Sequence, residues 1–153
     1  MLTWVCTEFE KLDVQTLYGL LRLRSQVFVV EQSCVFLDLD NKDQCAHHLT
    51  GWHDGELVAC ARLLPAGVAF GVPSIGRVVS HPSHRGNGFG RSLMSEAISR
   101  SETLFGKTAI RICAQLYLES FYASFGFVRA SEVFLEDGIQ HIEMERPAVF
   151  VCR

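Results

Sequence analysis

The chain has 153 residues, 48% of them hydrophobic, and its fourteen lysines and arginines against seventeen acids give a formal net charge of −3. That length predicts one domain, residues 1–153, burying about two thirds of its unfolded surface in a single core. The weak acidity, with no basic run, argues against nucleic acid as a partner, and no stretch approaches the roughly 18 to 20 apolar residues of a membrane span. In chain order, residues 2–9 alternate enough for a first strand. Asp13 is placed to N-cap a helix carrying Val14, Leu17, Leu20, Leu21, Leu23, Val27 and Phe28. Residues 46–52 and 56–64 read as strands around His53-Asp54-Gly55, whose Asp-Gly pair suits a tight hairpin. The next strand, 74–80, stops before Pro82, which lacks an N–H and restrains His81. A helix follows from about 88 to 105, with Leu93, Met94, Ala97, Ile98, Ser101 and Phe105 turned to the sheet and Gly106 as its stop. A right-handed crossover sets a strand at 108–114 parallel to the strand at 74–80. A helix ending at Phe125 is closed by Gly126, and residues 127–135 and 139–145 read as a hairpin around Glu136-Asp137-Gly138. The order β-α-β-β-β-α-β-α-β-β is a mixed α/β (α+β) fold, with about six or seven strands in one mixed sheet and helices on both faces.

The densest signal lies between the strand at 74–80 and the helix after it. Glycines at 86, 88 and 90 permit positive φ and close backbone approach, so successive amides and the positive end of the helix can face one anion, with Arg85 and Arg91 adding charge. Spacing separates the alternatives. A dinucleotide fingerprint needs its third glycine at 91, where Arg91 stands, and a nucleotide-triphosphate loop needs four residues between its glycines and then lysine. Arg85, Gly88 and Gly90 instead form Arg-x-x-Gly-x-Gly, which resembles the acyl-CoA signature of the GNAT superfamily of N-acetyltransferases. A second stretch, residues 110–115 followed by Phe121-Tyr122-Ala123-Ser124-Phe125-Gly126-Phe127, is similar to the next strand and helix of that superfamily. Further segments at 24–32, 38–43 and 136–144 resemble its ElaA-type branch, so the likeness runs from about residue 20 to residue 144.

The resemblance implies a sheet whose two central parallel strands splay to admit acetyl-CoA as cosubstrate. It also implies direct transfer of the acetyl group to a primary amine in a ternary complex. The expected cofactor contacts are Val78, Val79 and Ser80 as backbone oxyanion donors, Arg85, Gly86, Asn87, Gly88, Phe89, Gly90 and Arg91 as the pyrophosphate cradle, and Gln115 where many relatives carry asparagine. Tyr122 is the expected general acid toward a thiolate whose free pKa is about 8.5. A non-catalytic acyl-CoA-binding module of the same fold is the alternative reading. The acceptor is a small-molecule amine, a peptide N-terminus or a protein lysine, and the protein is expected in the cytoplasm, since its N-terminus lacks the basic-then-apolar order of a signal peptide.

A lysine-like ammonium, pKa about 10.4, must lose a proton before it attacks. Glu31 is the candidate for base or amine recognition, beside an acidic stretch of Asp38, Asp40 and Asp43 that reads as either solvated or amine-facing. His47, His48 and His141 read as strand histidines that satisfy a hydrogen bond. The stretch 38–43 fails as a calcium loop, with lysine at its fifth position and no glycine at its sixth. Six cysteines without a CxxC pair, and six histidines without zinc spacing, predict no metal site. Cys60 and Cys113 are expected as buried thiols, and no local histidine activates Cys113 for an acyl-cysteine route. The tail 147–153 is apolar enough to pack on the chain's own sheet or on a second copy, which leaves monomer and homodimer both open.

Overall fold

The computed structural model describes residues 2–148. Its regular elements are β1 (Thr3–Glu8), α1 (Val14–Arg24), β2 (His47–His53), β3 (Glu56–Leu64), β4 (Ser74–Ser80), α2 (Phe89–Phe105), β5 (Ile110–Gln115), α3 (Glu119–Ala123), β6 (Val128–Arg129), β7 (Phe134–Glu136) and β8 (Ile139–Arg146). The strands form one eight-stranded sheet in the order β1-β2-β3-β4-β5-β8-β6, with β7 also paired to β8. Only β4 and β5 run parallel, as the crossover through α2 requires. The two Asp-Gly hairpins are tight, with positive φ at Asp54 and Gly55 and again at Asp137 and Gly138, the backbone that suits the right-handed twist of paired strands.

Strand alternation divides the core between two helices. Ala59, Ala61, Leu63, Ile75, Ile110, Ile112, Ala114, Ile142 and Met144 join Leu93, Met94, Ala97 and Ile98 of α2. On the opposite face Cys60 and Val79 join Leu20 and Leu23 of α1, and Val27. Each such leucine or isoleucine contributes about 1.5–3 kcal/mol by leaving water. Asp13 caps α1 through a 2.8 Å bond from the Thr16 N–H.

The structure departs from the sequence reading in three places. The first helix keeps α geometry only to Arg24. Beyond it the coil widens, Gln32 N–H reaching back five residues to Val27 O and Cys34 N–H to Val29 O, a rare π turn of the kind found at functional sites. The stretch read as one strand at 127–135 is split into β6 and β7, because Ser131 Oγ takes the Glu143 N–H that a ladder carbonyl would have accepted; this split raises the count to eight strands. Cys113, expected to be buried, is exposed, while Cys60 is buried as expected. Residues 149–153, including most of the tail and Cys152, lie outside the described residues.

Candidate active site

β4 and β5 meet at one register position only, Ser74 with Arg111, reinforced by the Arg111 N–H on Pro73 O at 3.0 Å. Beyond it they separate. A bulge in β4 drives the divergence: Cys60 pairs with Val79 and Arg62 with Gly76, so Ala61 of β3 faces both Arg77 and Val78. Arg77 bears the strain, with φ of +49° on a residue that has a Cβ. The His81 N–H donates to Val58 O of β3 at 2.7 Å, and alternation along the strand turns the Ser80 N–H to the opposite edge, into the gap.

A buried ion network clamps this bulge. Arg77 donates to Asp38 Oδ1 at 2.8 Å, to Asp38 O at 3.0 Å and to Asp40 Oδ2 at 3.4 Å. Arg24, 1% exposed, bonds Asp38 Oδ2 at 2.8 Å and both oxygens of Asp43. Arg62 completes the set with Asp40 and Asp43. Three arginines thus balance three aspartates. Burial opposes the charge of Asp40 and Asp43, but hydrogen bonds and charge from Arg62 on Asp40, and from Arg24 and Arg62 on Asp43, hold both carboxyls below the ordinary carboxylate range. Neither the solvated nor the amine-facing reading of Asp38 and Asp43 survives: both are buried, and their oxygens are occupied from behind the bulge.

The cradle lies at the same end of β4. Ser92 is the first amide of α2 bonded back to Gly88 O, so the N–H groups of Phe89, Gly90 and Arg91 are free of intrahelical partners. No side chain caps this terminus and its first turn holds no acid, which leaves the positive helix end for an outside anion. Gly86 and Gly88 need glycine, with φ of +88° and +75°. Gly90 does not: its φ is unexceptional and nothing lies within 4 Å of a Cβ built there. Arg85 Nη1 donates to Glu31 Oε1 at 2.6 Å and Nη2 reaches Ser80 O at 3.4 Å. Arg91 lies over the Phe125 ring and bonds Ser124 Oγ. Phe89 stacks on His84, and Asn87 is exposed between the glycines.

At the far wall of the gap, Gln115 Nε2 donates to Gln32 Oε1 at 3.1 Å. The π turn therefore touches both walls, through Glu31 on the cradle and Gln32 on β5. Tyr122, 8% exposed, packs edge-on to Phe121 and Phe127, and its hydroxyl has no hydrogen-bond partner among the described residues. Burial, with Tyr117 as the lesser cause, pushes it up to about 12, so it stays a proton donor at neutral pH.

The face of β5 and β8 turned away from α2 carries a cluster that sequence reasoning missed. Cys113 pairs with Glu143 and Gln115 with His141 across the ladder. From β7, Glu136 Oε2 takes the Cys113 thiol at 3.6 Å and lies 3.7 Å from His141 Nε2. Desolvation first, and then Glu136 and Glu143, push the Cys113 thiol up to about 12, which leaves it un-ionised and a poor nucleophile. The signal was present in the alternation of 110–115 and in the Asp-Gly hairpin register, which together put these side chains on one face.

The family model of an acetyltransferase (GNAT) domain matches residues 27–147. The chain belongs to the GNAT family. It is 39% identical to Protein ElaA of Escherichia coli over 97% of this chain and 99% of ElaA. The crystal structure of that ElaA superposes with a TM-score of 0.89 over 95% of this chain and 99% of the other. An acyl-CoA N-acyltransferase from Pseudomonas aeruginosa, 43% identical, does so with a TM-score of 0.91 over 95% and 99%. A GNAT family acetyltransferase from Elizabethkingia anophelis, solved with acetyl-CoA bound, shares the fold at 14% identity, with a TM-score of 0.64 over 95% and 97%. The eight-stranded mixed sheet flanked by helices is thus that of a GNAT acyl-CoA N-acyltransferase fold.

Proposed function

We propose that this GNAT protein transfers acetyl from acetyl-CoA to a primary amine by direct attack in a ternary complex. The observation that carries the reading is Gly90. A glycine within a helix costs up to about 1 kcal/mol relative to alanine, and no positive φ or close neighbour requires one at position 90. A ligand lying against the N-terminus of α2 does, because a methyl group there would stand where the anion sits. Gly86, Asn87, Gly88, Phe89, Gly90 and Arg91 then supply backbone amides and the helix end to a pyrophosphate, while Arg85 adds a charged fork.

The remaining residues divide the chemistry. Val78, Val79 and Ser80 line the gap, and the Ser80 N–H, aimed into it, is the first donor to the carbonyl oxygen that gains charge on attack. Gln115 bonds the pantetheine arm in exchange for Gln32. Tyr122 donates to the departing sulfur. Its value of about 12, above the 8.5 of a free thiol, makes it a neutral hydrogen-bond donor whose proton moves only if another replaces it. Glu31 serves Arg85, holding the guanidinium beside the loop.

Calorimetric titration with acetyl-CoA, with ATP and NAD as controls, tests the cradle. Saturable binding to acetyl-CoA alone, lost in Arg85→Ala/Gly88→Val, is the expected result, followed by free-thiol release with primary amines. No binding would remove the basis of the reading. Binding without thiol release across an amine panel would establish a binding module of the same fold.

A further inference from the structure

We infer that the face of β5 and β8 turned away from α2 is the acceptor site, that it takes a primary alkylammonium ion, and that His141 Nε2 receives its proton. The inference rests on the N-acyltransferase reading above.

Register places the group. Four residues up from the Ser74–Arg111 pair, β5 reaches Gln115, and the bulge spends one extra residue on β4, so Gln115 stands level with Val78 and Val79. His141 is paired to Gln115 on the next strand. The row Val79, gap, Gln115, His141 therefore crosses the sheet at the height where β4 amides face the gap. Tyr122 and α2 belong to the core on one face of the sheet. His141 and Gln115 project from the other, so acid and base lie on opposite faces of the sheet, with β5 between His141 and the gap.

The imidazole is fixed for this task. Its Nδ1 lies 2.7 Å from Ile139 O, and a carbonyl only accepts, so Nδ1 carries a hydrogen and in the neutral ring Nε2 has the lone pair. The residue is nine-tenths buried, stacked under Phe134. Glu136 Oε2 faces Nε2 at 3.7 Å, too long for a hydrogen bond. Glu143 on the same face is already paired with Arg111 at 3.1 Å. Glu136 has no arginine partner among the described residues and accepts from the Cys113 thiol at 3.6 Å, so its charge favours a cation.

The step balances. The ammonium gives one proton to Nε2, and the freed lone pair forms the C–N bond to the thioester carbonyl carbon. The C–S bond breaks with its electrons passing to sulfur, which takes a proton from Tyr122. The second proton lost by nitrogen restores Tyr122, and His141 returns its own to solvent.

The test compares wild type with His141→Gln, using acetyl-CoA with primary alkylamines, cationic at pH 7, and with arylamines, neutral there. The expected result is a loss of about 10²–10⁴ in kcat with alkylamines, less than about tenfold with arylamines, and unchanged acetyl-CoA affinity by calorimetry. An equal loss with both classes, or none, overturns the assignment alone. Nitrogen NMR of labelled histidine, which needs no turnover, is expected to show the Nδ1–H tautomer; Nε2–H overturns it too. Acetyl-CoA binding with no amine acetylated overturns the parent reading and this assignment together.

Discussion

Substitution of Arg77 separates backbone strain from side-chain anchoring. At φ of +49° a residue with a Cβ stores about 1–2 kcal/mol that glycine does not. The side chain repays this through its bonds to Asp38 and Asp40, each charged hydrogen bond contributing about 1.5–3 kcal/mol. Arg77→Gly loses the anchor and sheds the strain; Arg77→Ala loses the anchor and keeps it. The glycine variant is therefore expected to be the more stable by about 1 kcal/mol, or about 3 °C in Tm for a chain of this size, the reverse of the usual order inside a strand. The alanine variant can recover that energy only by flattening the bulge, which turns the Ser80 amide out of the gap. Losing such a donor costs about 10²–10³ in kcat, whereas the glycine variant stays within about tenfold of wild type. Chemical unfolding and thiol release from acetyl-CoA read the two quantities separately. An alanine variant as stable and as active as the glycine one would refute the idea that Arg77 holds a strained, functional bulge.

Further outcomes follow from the geometry. Gly90→Ala should raise the stability of the free protein by up to about 1 kcal/mol while weakening acetyl-CoA binding at least tenfold by calorimetry. Tyr122→Phe removes a hydroxyl with no hydrogen-bond partner among the described residues, so its stability should match wild type within about 0.5 kcal/mol, while turnover drops by about 10²–10⁴. Asp38→Asn leaves Arg24 and Arg77 facing a neutral group and should cost about 3–5 kcal/mol. The same network sets the response to acid. His48 is held below its ordinary 6.5 by burial, and Asp40 and Asp43 are held below 3.8. All three folded-state values are depressed, so their stabilisation is complete above about pH 6.5 and lost on acidification. Denaturant midpoints should fall gently below pH 6.5 and steeply below about 4, and His48→Gln should abolish the first stage.

Local signals were legible in the sequence and distant partnerships were not. The Asp-Gly hairpins, the cap at Asp13, the helix faces and the glycine turn into α2 each depend on residues a few positions apart, and each sits in the structure where its spacing implied. The acidic stretch 38–43 misled because its meaning lies in Arg24, Arg62 and Arg77, which reach it from α1, β3 and β4. A run of aspartates looks solvated until the chain's fold supplies three buried guanidinium groups. Cys113 is a different case. Ile110, Ile112 and Ala114 alternate into the core, so strand periodicity alone assigns Cys113 to the other face; reading the strand as uniformly apolar hid this.

Glu31 and His141 compete for the role of base, and one substitution decides between them. Glu31 is a partly exposed carboxylate whose oxygen is 2.6 Å from the Arg85 guanidinium. An exposed pair of this kind contributes at most about 1 kcal/mol to stability, so Glu31→Gln should fold normally. An oxygen of this carboxylate is already taken by the cradle arginine, and its negative charge opposes an incoming pyrophosphate. Its removal should leave kcat with alkylamines within about threefold of wild type and acetyl-CoA affinity equal or tighter. A fall of 10² or more in kcat, confined to alkylamines, would move the proton to Glu31 and across the gap from His141. The π turn would then deliver the base itself, instead of tying the cradle to β5 through neighbouring side chains.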